Sequence, residues 1–463
     1  MSGIDKKLTD KESGSLTKGK KKQKKEDAWR PLDSLPEKKQ QEIQKALHLF
    51  SLGPTLPKTM QQAIRHNYRF WETQPVPRLG DNITTHGPII AEGEGSFRKE
   101  PYSLPSDFCW DVLDLRSAPV LRELCSLLNE NYMEDDDNTI RFDFSLEYIQ
   151  WALQPPNCLA QWHLGVRVES NKKLVGFIAA VPADLRIYET EKRVVQVTFL
   201  CVHKKLRLKR MSPVLIQELT RRVNQQGLCQ AVYTAGIVLP TPLSSCRHWH
   251  RPLNTRKLME LNYPGLRQSM NLQRALKFNR LPEVTKTRGL RPMTKQDAPG
   301  IHSLLQTSLC NFHLSPLFSL QEVEHWLLPR ENVIDTYVVE GEDGMLTDVV
   351  SFYSNTFKVL NHPVHTGLRA AHLLYVASTA TELVDLMEDT LVIAKAKGFD
   401  IFSALDVMDN KRFLENLKFS ISDRNVHYYL YNWKCPNMSP DKKLCHNLLR
   451  YSFGMLKCKK ISL

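Results

Sequence analysis

A run of basic residues stands between an apolar segment and a segment with helical periodicity. Residues 198–202, Thr-Phe-Leu-Cys-Val, have the composition of a buried strand, and residues 213–224 predict a helix. Five lysines and arginines lie within the intervening segment, residues 203–210. Cations beside the unpaired amides of a helix N-terminus can bind a pyrophosphate or a 3'-phosphate. Such a run of charges is also typical of a solvated basic turn, which is the alternative interpretation.

The end of the apolar segment could stabilise a developing negative charge. If the strand parts from its neighbour there, the backbone amides of Phe199 and Leu200 become available to an oxyanion. The sequence therefore predicts an anion-binding loop and an oxyanion site within one short stretch.

A similar strand, helix, strand unit occurs twice. The first contains residues 195–202, a helix closed by Gly227 and residues 228–233; the second contains residues 372–377, a helix over 382–397 closed by Gly398, and residues 399–405. The pattern predicts two α/β halves with crossover helices, related by duplication or, alternatively, two unrelated units. Residues 378–381, the counterpart of the basic loop, carry no charge.

Other periodic segments place the remaining elements. Apolar spacing predicts a helix over 119–131, and β-branched runs predict strands over 164–168, 174–181 and 194–202. A polar helix over 36–49 and a proline-rich strap over 54–105 precede them.

Net charge is concentrated at the two ends of the chain. Of the formal +13, residues 1–25 carry +6 and residues 449–463 carry +4, so the body is nearly neutral and does not have the charge of a nucleic-acid-binding domain. The lysine-rich arm is either a solubilising tail or a contact for ribosomal RNA or an anionic membrane.

Cysteine spacing and hydropathy exclude several classes of protein. The ten cysteines contain no C-x-x-C pair, which argues against a zinc site or a dithiol centre. Apolar runs are too short for a membrane span, and the N-terminus has no signal-peptide pattern. We therefore expect a cytoplasmic protein in a reducing compartment, with no metal and no prosthetic group.

Five segments together resemble the glycylpeptide N-tetradecanoyltransferase (N-myristoyltransferase) family, especially its vertebrate members. They are Phe199 to Arg210 with Pro213, Tyr-Arg-Phe-Trp-Glu-Thr-Gln-Pro-Val-Pro over 68–77, Glu-Asp-Asp-Asp-Asn over 134–138, Tyr-Thr-Ala-Gly over 233–236 and Tyr-Tyr-Leu-Tyr-Asn-Trp-Lys-Cys-Pro over 428–436. The resemblance extends from about Trp29 to Lys442. It implies an α/β fold in which two acetyltransferase-like (GNAT) halves in pseudo-twofold arrangement form one compact catalytic unit.

The resemblance also implies a division of the chain. It comprises a disordered arm (1–28), an N-terminal half that binds acyl-CoA (29–240), a C-terminal half that binds peptide (241–448) and an atypical basic extension (449–463).

By the same resemblance, the protein transfers a myristoyl group from myristoyl-CoA, its acyl donor, to the N-terminal glycine amine of proteins and nascent chains. It would act as a monomer.

The implied catalytic residues are Thr198, Phe199, Leu200 and Thr234. The implied acyl-CoA contacts are Arg69, Phe70, Trp71, Phe199, Leu200, Cys201, Val202, Arg207, Leu208, Lys209, Arg210, Met211 and Ser212. The implied peptide contacts are Tyr132, Met133, Asp135, Asp137, Ile140, Phe142, Phe144, Gly236, His248, His250, Tyr263, Ser351, Tyr375, Asp423 and Val426.

The sequence departs from the family near the reacting groups. Family members use the carboxylate of their last residue as the base, assisted by residues that match Thr198 and Thr234. The family's last residue falls at Leu448, but this sequence continues to Leu463. Arg424 stands where the family has glycine, Leu208 where it has serine, and Thr198 where it has asparagine. A catalytically weakened relative that binds acyl-CoA or glycyl peptides without efficient turnover is therefore an alternative, and a small-molecule acetyltransferase is a more distant one.

Truncation after Leu448 tests the assignment of the base. It would place a free carboxylate at the family's position, and loss of a general base typically costs about 100-fold to 10,000-fold in rate. We expect the truncated chain to transfer acyl groups at least about tenfold faster than the full chain in the same assay. Full activity without truncation would require another base, with Asp423 or His250 the first to examine.

Overall fold

The computed structural model describes residues 56–91, 97–132, 139–207, 209–263 and 270–442. Within these ranges no helix is both long and apolar enough to span a bilayer. Several predicted features lie outside the described residues: the lysine-rich arm, the helix over 36–49, the acidic segment 134–138 and the basic extension over 449–463.

Sixteen strands and ten helices are found in the described ranges. The strands are β1 (Gly87–Pro88), β2 (Phe108–Val112), β3 (Ile140–Phe142), β4 (His163–Val168), β5 (Leu174–Ile187), β6 (Thr190–Val202), β7 (Ala231–Ala235), β8 (Ser244–Pro252), β9 (Leu290–Pro292), β10 (Leu314–Pro316), β11 (Ile334–Glu340), β12 (Leu346–Val359), β13 (Gly367–Ser378), β14 (Ile401–Leu405), β15 (Ser420–Tyr431) and β16 (Trp433–Lys434). The α-helices are α1 (Met60–Ile64), α2 (Ala118–Asn131), α3 (Leu146–Leu153), α4 (Met211–Asn224), α5 (Thr255–Glu260), α6 (Leu272–Phe278), α7 (Ala298–Leu309), α8 (Leu320–Leu327), α9 (Leu383–Ala396) and α10 (Lys411–Leu414).

Helix α2 illustrates how well apolar spacing predicts an element. Proline lies in its first turn, where a missing N–H costs no hydrogen bond, and Leu121, Leu124, Leu127 and Leu128 are all buried. The predicted helix and the three predicted strands are confirmed, although β5 and β6 extend well beyond their predicted bounds.

Two strand and helix series with the same order build the sheet. The first runs β2, α2, β3, α3, β4, β5, β6, α4, β7, β8; the second runs β9, α7, β10, α8, β11, β12, β13, α9, β14 and, after the short α10, β15. Across the sheet the strand order is β2-β4-β5-β6-β7-β15-β8-β14-β13-β12-β11-β9. Counted inwards from the two ends of the sheet, each strand of one half occupies the same position as its counterpart in the other: β2 and β9, β4 and β11, β5 and β12, β6 and β13, β7 and β14, and β15 and β8. This symmetry confirms two related α/β halves.

Each half contributes two strands to the other. Strand β15 lies antiparallel to β7, and β8 lies antiparallel to β14, although β8 follows β7 in sequence. Likewise β3 pairs with β12, and β10 pairs with β5. Because this exchange is reciprocal, the backbone hydrogen bonds of one half depend on the other. The predicted boundary at residue 240 stays a prediction, since the sheet crosses it without interruption.

Both predicted crossover units are present. Strands β6 and β7 are parallel and joined by α4, and β13 and β14 are parallel and joined by α9. Gly227 and Gly398 follow the two helices at φ +76° and +78°, a backbone conformation that glycine adopts without the Cβ penalty. The two units are therefore equivalent in topology and in how their helices end.

The loops that precede the two crossover helices differ in how their amides are used. In the C-terminal half the buried carboxylate of Asp348 accepts hydrogen bonds from the backbone amides of Thr379, Ala380 and Thr381. The hydroxyls of Thr347 and Thr381 also donate to it. In the C-terminal half the protein itself thus supplies the anion that the loop amides bind. In the N-terminal half β5, the counterpart of β12, has no carboxylate beside the basic loop.

Replacement of Asp348 should destabilise the fold. Burial acts to raise the pKa of Asp348, but hydrogen bonds from Thr381 and Thr347 and from the loop amides hold it below its usual value. We expect Asp348→Ala to lower the free energy of unfolding by at least about 2 kcal/mol, because buried donors lose their acceptor.

Denaturant unfolding measures this effect, with Asp348→Asn as the control of similar shape. A lowered native pKa stabilises the fold at pH values above the unfolded-state pKa of about 3.9, and this contribution is lost as the pH falls through the native pKa. The difference between the wild type and Asp348→Asn should therefore shrink in acid. Equal midpoints at neutral pH would contradict this role.

Candidate functional site

A bulge interrupts β6 at the predicted oxyanion residues. Thr198 pairs with Ala179 and Cys201 with Phe177, so Phe199 and Leu200 together oppose the single residue Ile178. Phe199 has φ +51°, a left-handed conformation that is uncommon for an aromatic residue and often marks a functional site. In such a bulge the extra residue lies outside the regular ladder, so its backbone can face a ligand.

Strands β6 and β7 part immediately before this bulge. Their parallel pairing is confined to Val195 with Ala231 and Gln196 with Val232. Beyond that point β6 continues to the bulge, while β7 turns to β15, with which its residues from Ala231 to Ala235 are in register. The result is a wedge-shaped gap in the middle of the sheet.

The two faces of the sheet carry different side chains beside this gap. Strand residues alternate between faces, and Val195, Val197 and Leu200 belong to the apolar layer against α4. Thr198 points to the opposite face, where its partner Ala179 packs in a core cluster with Phe199. The gap therefore lies between an apolar layer against α4 on one face of the sheet and an aromatic core on the other.

A small apolar cavity lies on the α4 side of the sheet. Trp71 of the proline-rich strap lines it and stacks on Tyr233 at 5.6 Å between ring centroids. Tyr233 stacks in turn on Tyr429 at 5.0 Å, and burial raises the pKa of both tyrosines, so this wall stays uncharged. Phe70 packs in the same layer, whereas Arg69 is exposed.

The basic loop lies at the start of α4. Arg210 is its N-cap residue, at φ +54°, and makes no side-chain cap hydrogen bond. Lys209 and Arg210 are exposed, while Met211 and Ser212 are buried. Arg207 is also buried, and its guanidinium donates to the backbone oxygen of Asn131 at the end of α2.

Aromatic side chains surround Phe199 on the other face. Its ring centroid lies 5.6 Å from that of Tyr132 and 5.7 Å from that of Phe144. Phe142 stacks on Phe144 at 4.8 Å. Val426 and Tyr375 belong to the same core cluster. Four of the predicted peptide and oxyanion residues, Tyr132, Phe142, Phe144 and Phe199, thus form one group of contacting rings beside the gap.

A second group of predicted peptide residues lies on the exchanged strand β8. The rings of His248 and His250 stack at 5.9 Å, and Tyr263 contacts His250 edge to face. The Nδ1 atom of His250 is 2.8 Å from the Ser403 hydroxyl. The residue two positions before His248 on β8 and the partner of His248 on β14 both pack in the core cluster that contains Phe199. The histidines therefore lie on the same face of the sheet as that cluster.

The remaining predicted residues are more dispersed. Ser351 accepts a hydrogen bond from the Tyr375 amide, Gly236 follows β7, and Thr234 is paired with Tyr428 in the sheet. Ile140 is half-buried, and Asp423 is exposed in an irregular part of β15. Leu208, Met133, Asp135 and Asp137 lie outside the described residues.

Sequence reasoning missed Asn131 and Gln196. The Asn131 side chain accepts from the Lys204 amide, so this residue anchors the basic loop at two points. Gln196 is buried between Val195 and Val197 in the middle of β6. A lone amide in such a strand was the available signal, but it does not indicate which face the residue occupies.

The exposed basic loop at a helix N-terminus suits the phosphates of coenzyme A, and the apolar cavity beside the gap suits an acyl chain, so the site fits an acyl-CoA-dependent acyltransferase. Comparison with known proteins agrees with this class. Residues 90–246 match the family model "Myristoyl-CoA:protein N-myristoyltransferase, N-terminal domain", and residues 260–455 match its C-terminal domain. The chain belongs to the myristoyl-CoA:protein N-myristoyltransferase family.

Individual relatives are similar over most of their length. Glycylpeptide N-tetradecanoyltransferase 2 of Danio rerio is 57% identical over 88% of this chain and 83% of its own, and the Bos taurus protein of that name is 56% identical over 88% and 82%. The structure of Saccharomyces cerevisiae N-myristoyltransferase with bound myristoyl-CoA has a TM-score of 0.78 and 37% identity over 84% of this chain and 99% of its own. The C-terminal family match extends beyond Leu448.

Removal of the exposed loop charges should weaken binding of myristoyl-CoA. We expect Lys209→Gln with Arg210→Gln to raise its Kd about tenfold at low ionic strength, because two cations beside the helix N-terminus are lost. Salt screens such contacts, so the effect should shrink in high salt. Titration calorimetry measures the Kd.

The matched control is Lys411→Gln with Arg412→Gln, which removes two exposed cations at the start of α10. It should leave the Kd unchanged. Equal affinity of the loop variant and the wild type at low ionic strength would refute the phosphate assignment.

Proposed function

We propose that this chain transfers a tetradecanoyl group from myristoyl-CoA to the α-amine of proteins and nascent chains that begin with glycine. The gap at the Phe199 bulge is the observation that carries the proposal, because it joins an apolar cavity to an aromatic-lined face. A thioester in the gap would have its acyl chain on one side of the sheet and its attacking amine on the other. The alternative of a weakened relative finds no supporting observation in the described residues.

The acyl chain is the main source of donor affinity in this proposal. Burial of about a dozen methylenes at about 0.8 kcal/mol each offers on the order of 10 kcal/mol. Val195, Val197, Ile216 and Leu219 line the cavity with aliphatic side chains, and Trp71 covers it from the strap. The phosphates of coenzyme A would lie outside, at Lys209 and Arg210.

The reaction is an acyl transfer to nitrogen. The neutral amine attacks the thioester carbon, a C–N bond forms, the C–S bond breaks, and coenzyme A leaves as its thiol with the proton that the amine gives up. In this proposal the amides of Phe199 and Leu200 bind the oxyanion of the tetrahedral intermediate. Such preorganised donors typically contribute about 100-fold to 1,000-fold in rate.

The aromatic face supports selection of glycine. Tyr132, Phe142 and Phe144 are buried around the Phe199 ring, so little space remains for a side chain on the first residue of the acceptor. The α-amine has a pKa near 8 and must lose its proton before it attacks, so turnover should rise with pH towards that value.

We further propose that the chain acts as a cytoplasmic monomer and that its lysine-rich arm contacts ribosomes or an anionic membrane surface. Nine lysines in residues 1–25 carry this proposal, since such a segment is attracted to polyanions. Co-sedimentation with ribosomes and vesicles, with and without residues 1–25, measures the contact.

Release of coenzyme A from myristoyl-CoA tests the proposed reaction. We expect release with a peptide that begins with glycine and at least about 100-fold less with the same peptide beginning with alanine, because one methyl group in a tight pocket has an effect of this order. Mass spectrometry should find the acyl group on the amine. Equal rates with both peptides, or no acylated product, would contradict the proposal.

A further inference from the structure

Two buried polar atoms on β6 have no hydrogen-bond partner within the part of the chain that the structure describes. They are the side-chain oxygens of Gln196 and Thr198, residues that are 4% and 1% exposed. Buried polar groups are nearly always hydrogen-bonded, and an unmet acceptor destabilises the fold. Two such atoms two residues apart therefore need an explanation.

Both side chains lie on the face that carries the aromatic cluster. Gln196 is in register with Val181 and Thr198 with Ala179, and both partners pack in the cluster that contains Phe199. The intervening Val197 lines the acyl cavity on the opposite face. Gln196 and Thr198 are thus turned away from the acyl chain and towards the side from which the acceptor would approach.

Gln196 also occupies a special position along the strand. It is the last β6 residue paired with β7, so it lies where the gap begins, with Thr198 on the β6 side. Thr234 follows Val232, the β7 partner of Gln196, by two residues and lies on the other side of the gap. A nucleophile that enters the gap from the aromatic face would meet these three polar side chains.

We propose that the side-chain oxygen of Gln196, together with Thr198, accepts hydrogen bonds from the α-amine of the acceptor and aims it at the thioester. This proposal rests on the proposed function. A neutral amine in a buried site must find acceptors for its N–H groups, and both orphaned oxygens can serve. An amide cannot take up the amine's proton, so Gln196 binds and orients the amine while the base lies elsewhere.

Binding measurements on the full chain test this role without relying on turnover. The complex with a thioether analogue of myristoyl-CoA is titrated with a glycyl peptide and with its des-amino analogue, in which acetyl replaces glycyl. We expect the wild type to prefer the glycyl peptide by about tenfold or more, and Gln196→Met to lose most of that preference. Gln196→Glu, which keeps an acceptor, should retain it.

Thermal unfolding separates this role from a structural one. Removal of an unsatisfied polar group in favour of an apolar one of similar length should leave the Tm of Gln196→Met unchanged or raise it. Thr336→Val, which removes another orphaned buried hydroxyl on β11, is the control and should not alter the peptide preference.

An unchanged preference in Gln196→Met, or no preference in the wild type, would overturn the inference. A wild type that discriminates between the peptides but transfers no acyl group would refute the proposed function and leave the role of Gln196 in amine binding standing.

Discussion

The parting of β6 from β7 beyond Gln196 and Val232 is the constraint on which the rest of the structure depends. A strand that leaves its neighbour exposes backbone groups that need another partner. Strand β15 of the other half supplies one to β7, and β8 does the same for β14. The exchange of strands therefore keeps β7 paired where the sheet opens at its centre, while the edge of β6 beyond Gln196 faces the gap.

Two halves with the same topology differ in what fills the positions around their crossover helices. In the N-terminal half the loop before α4 is basic and the layer beneath it contains a cavity. In the C-terminal half Asp348 binds the loop amides, and Phe352, Phe399 and Phe402 pack in the corresponding layer. One half is thus built to receive an anionic, acyl-bearing ligand, and the other satisfies the same positions internally.

The sequence was sufficient for features that depend on local patterns and specific motifs. The spacing of leucines in α2, the two crossover units and the basic loop all follow from such patterns. The pairing of β3 with β12 and of β10 with β5 could not be predicted, because residues far apart in sequence form it. Nor could the burial of Arg207 on Asn131, since a basic loop does not reveal which of its charges turns inward.

The central claim is that the sheet separates the acyl chain from the acceptor amine and that the gap at Phe199 joins them. A crystal structure with the thioether analogue of myristoyl-CoA and a glycyl peptide tests it most directly. The acyl chain should lie between β6 and α4 beside Trp71 and Tyr233, and the amine should lie on the opposite face beside Thr198 and Gln196. An acyl chain and an amine on the same face of the sheet would contradict the claim.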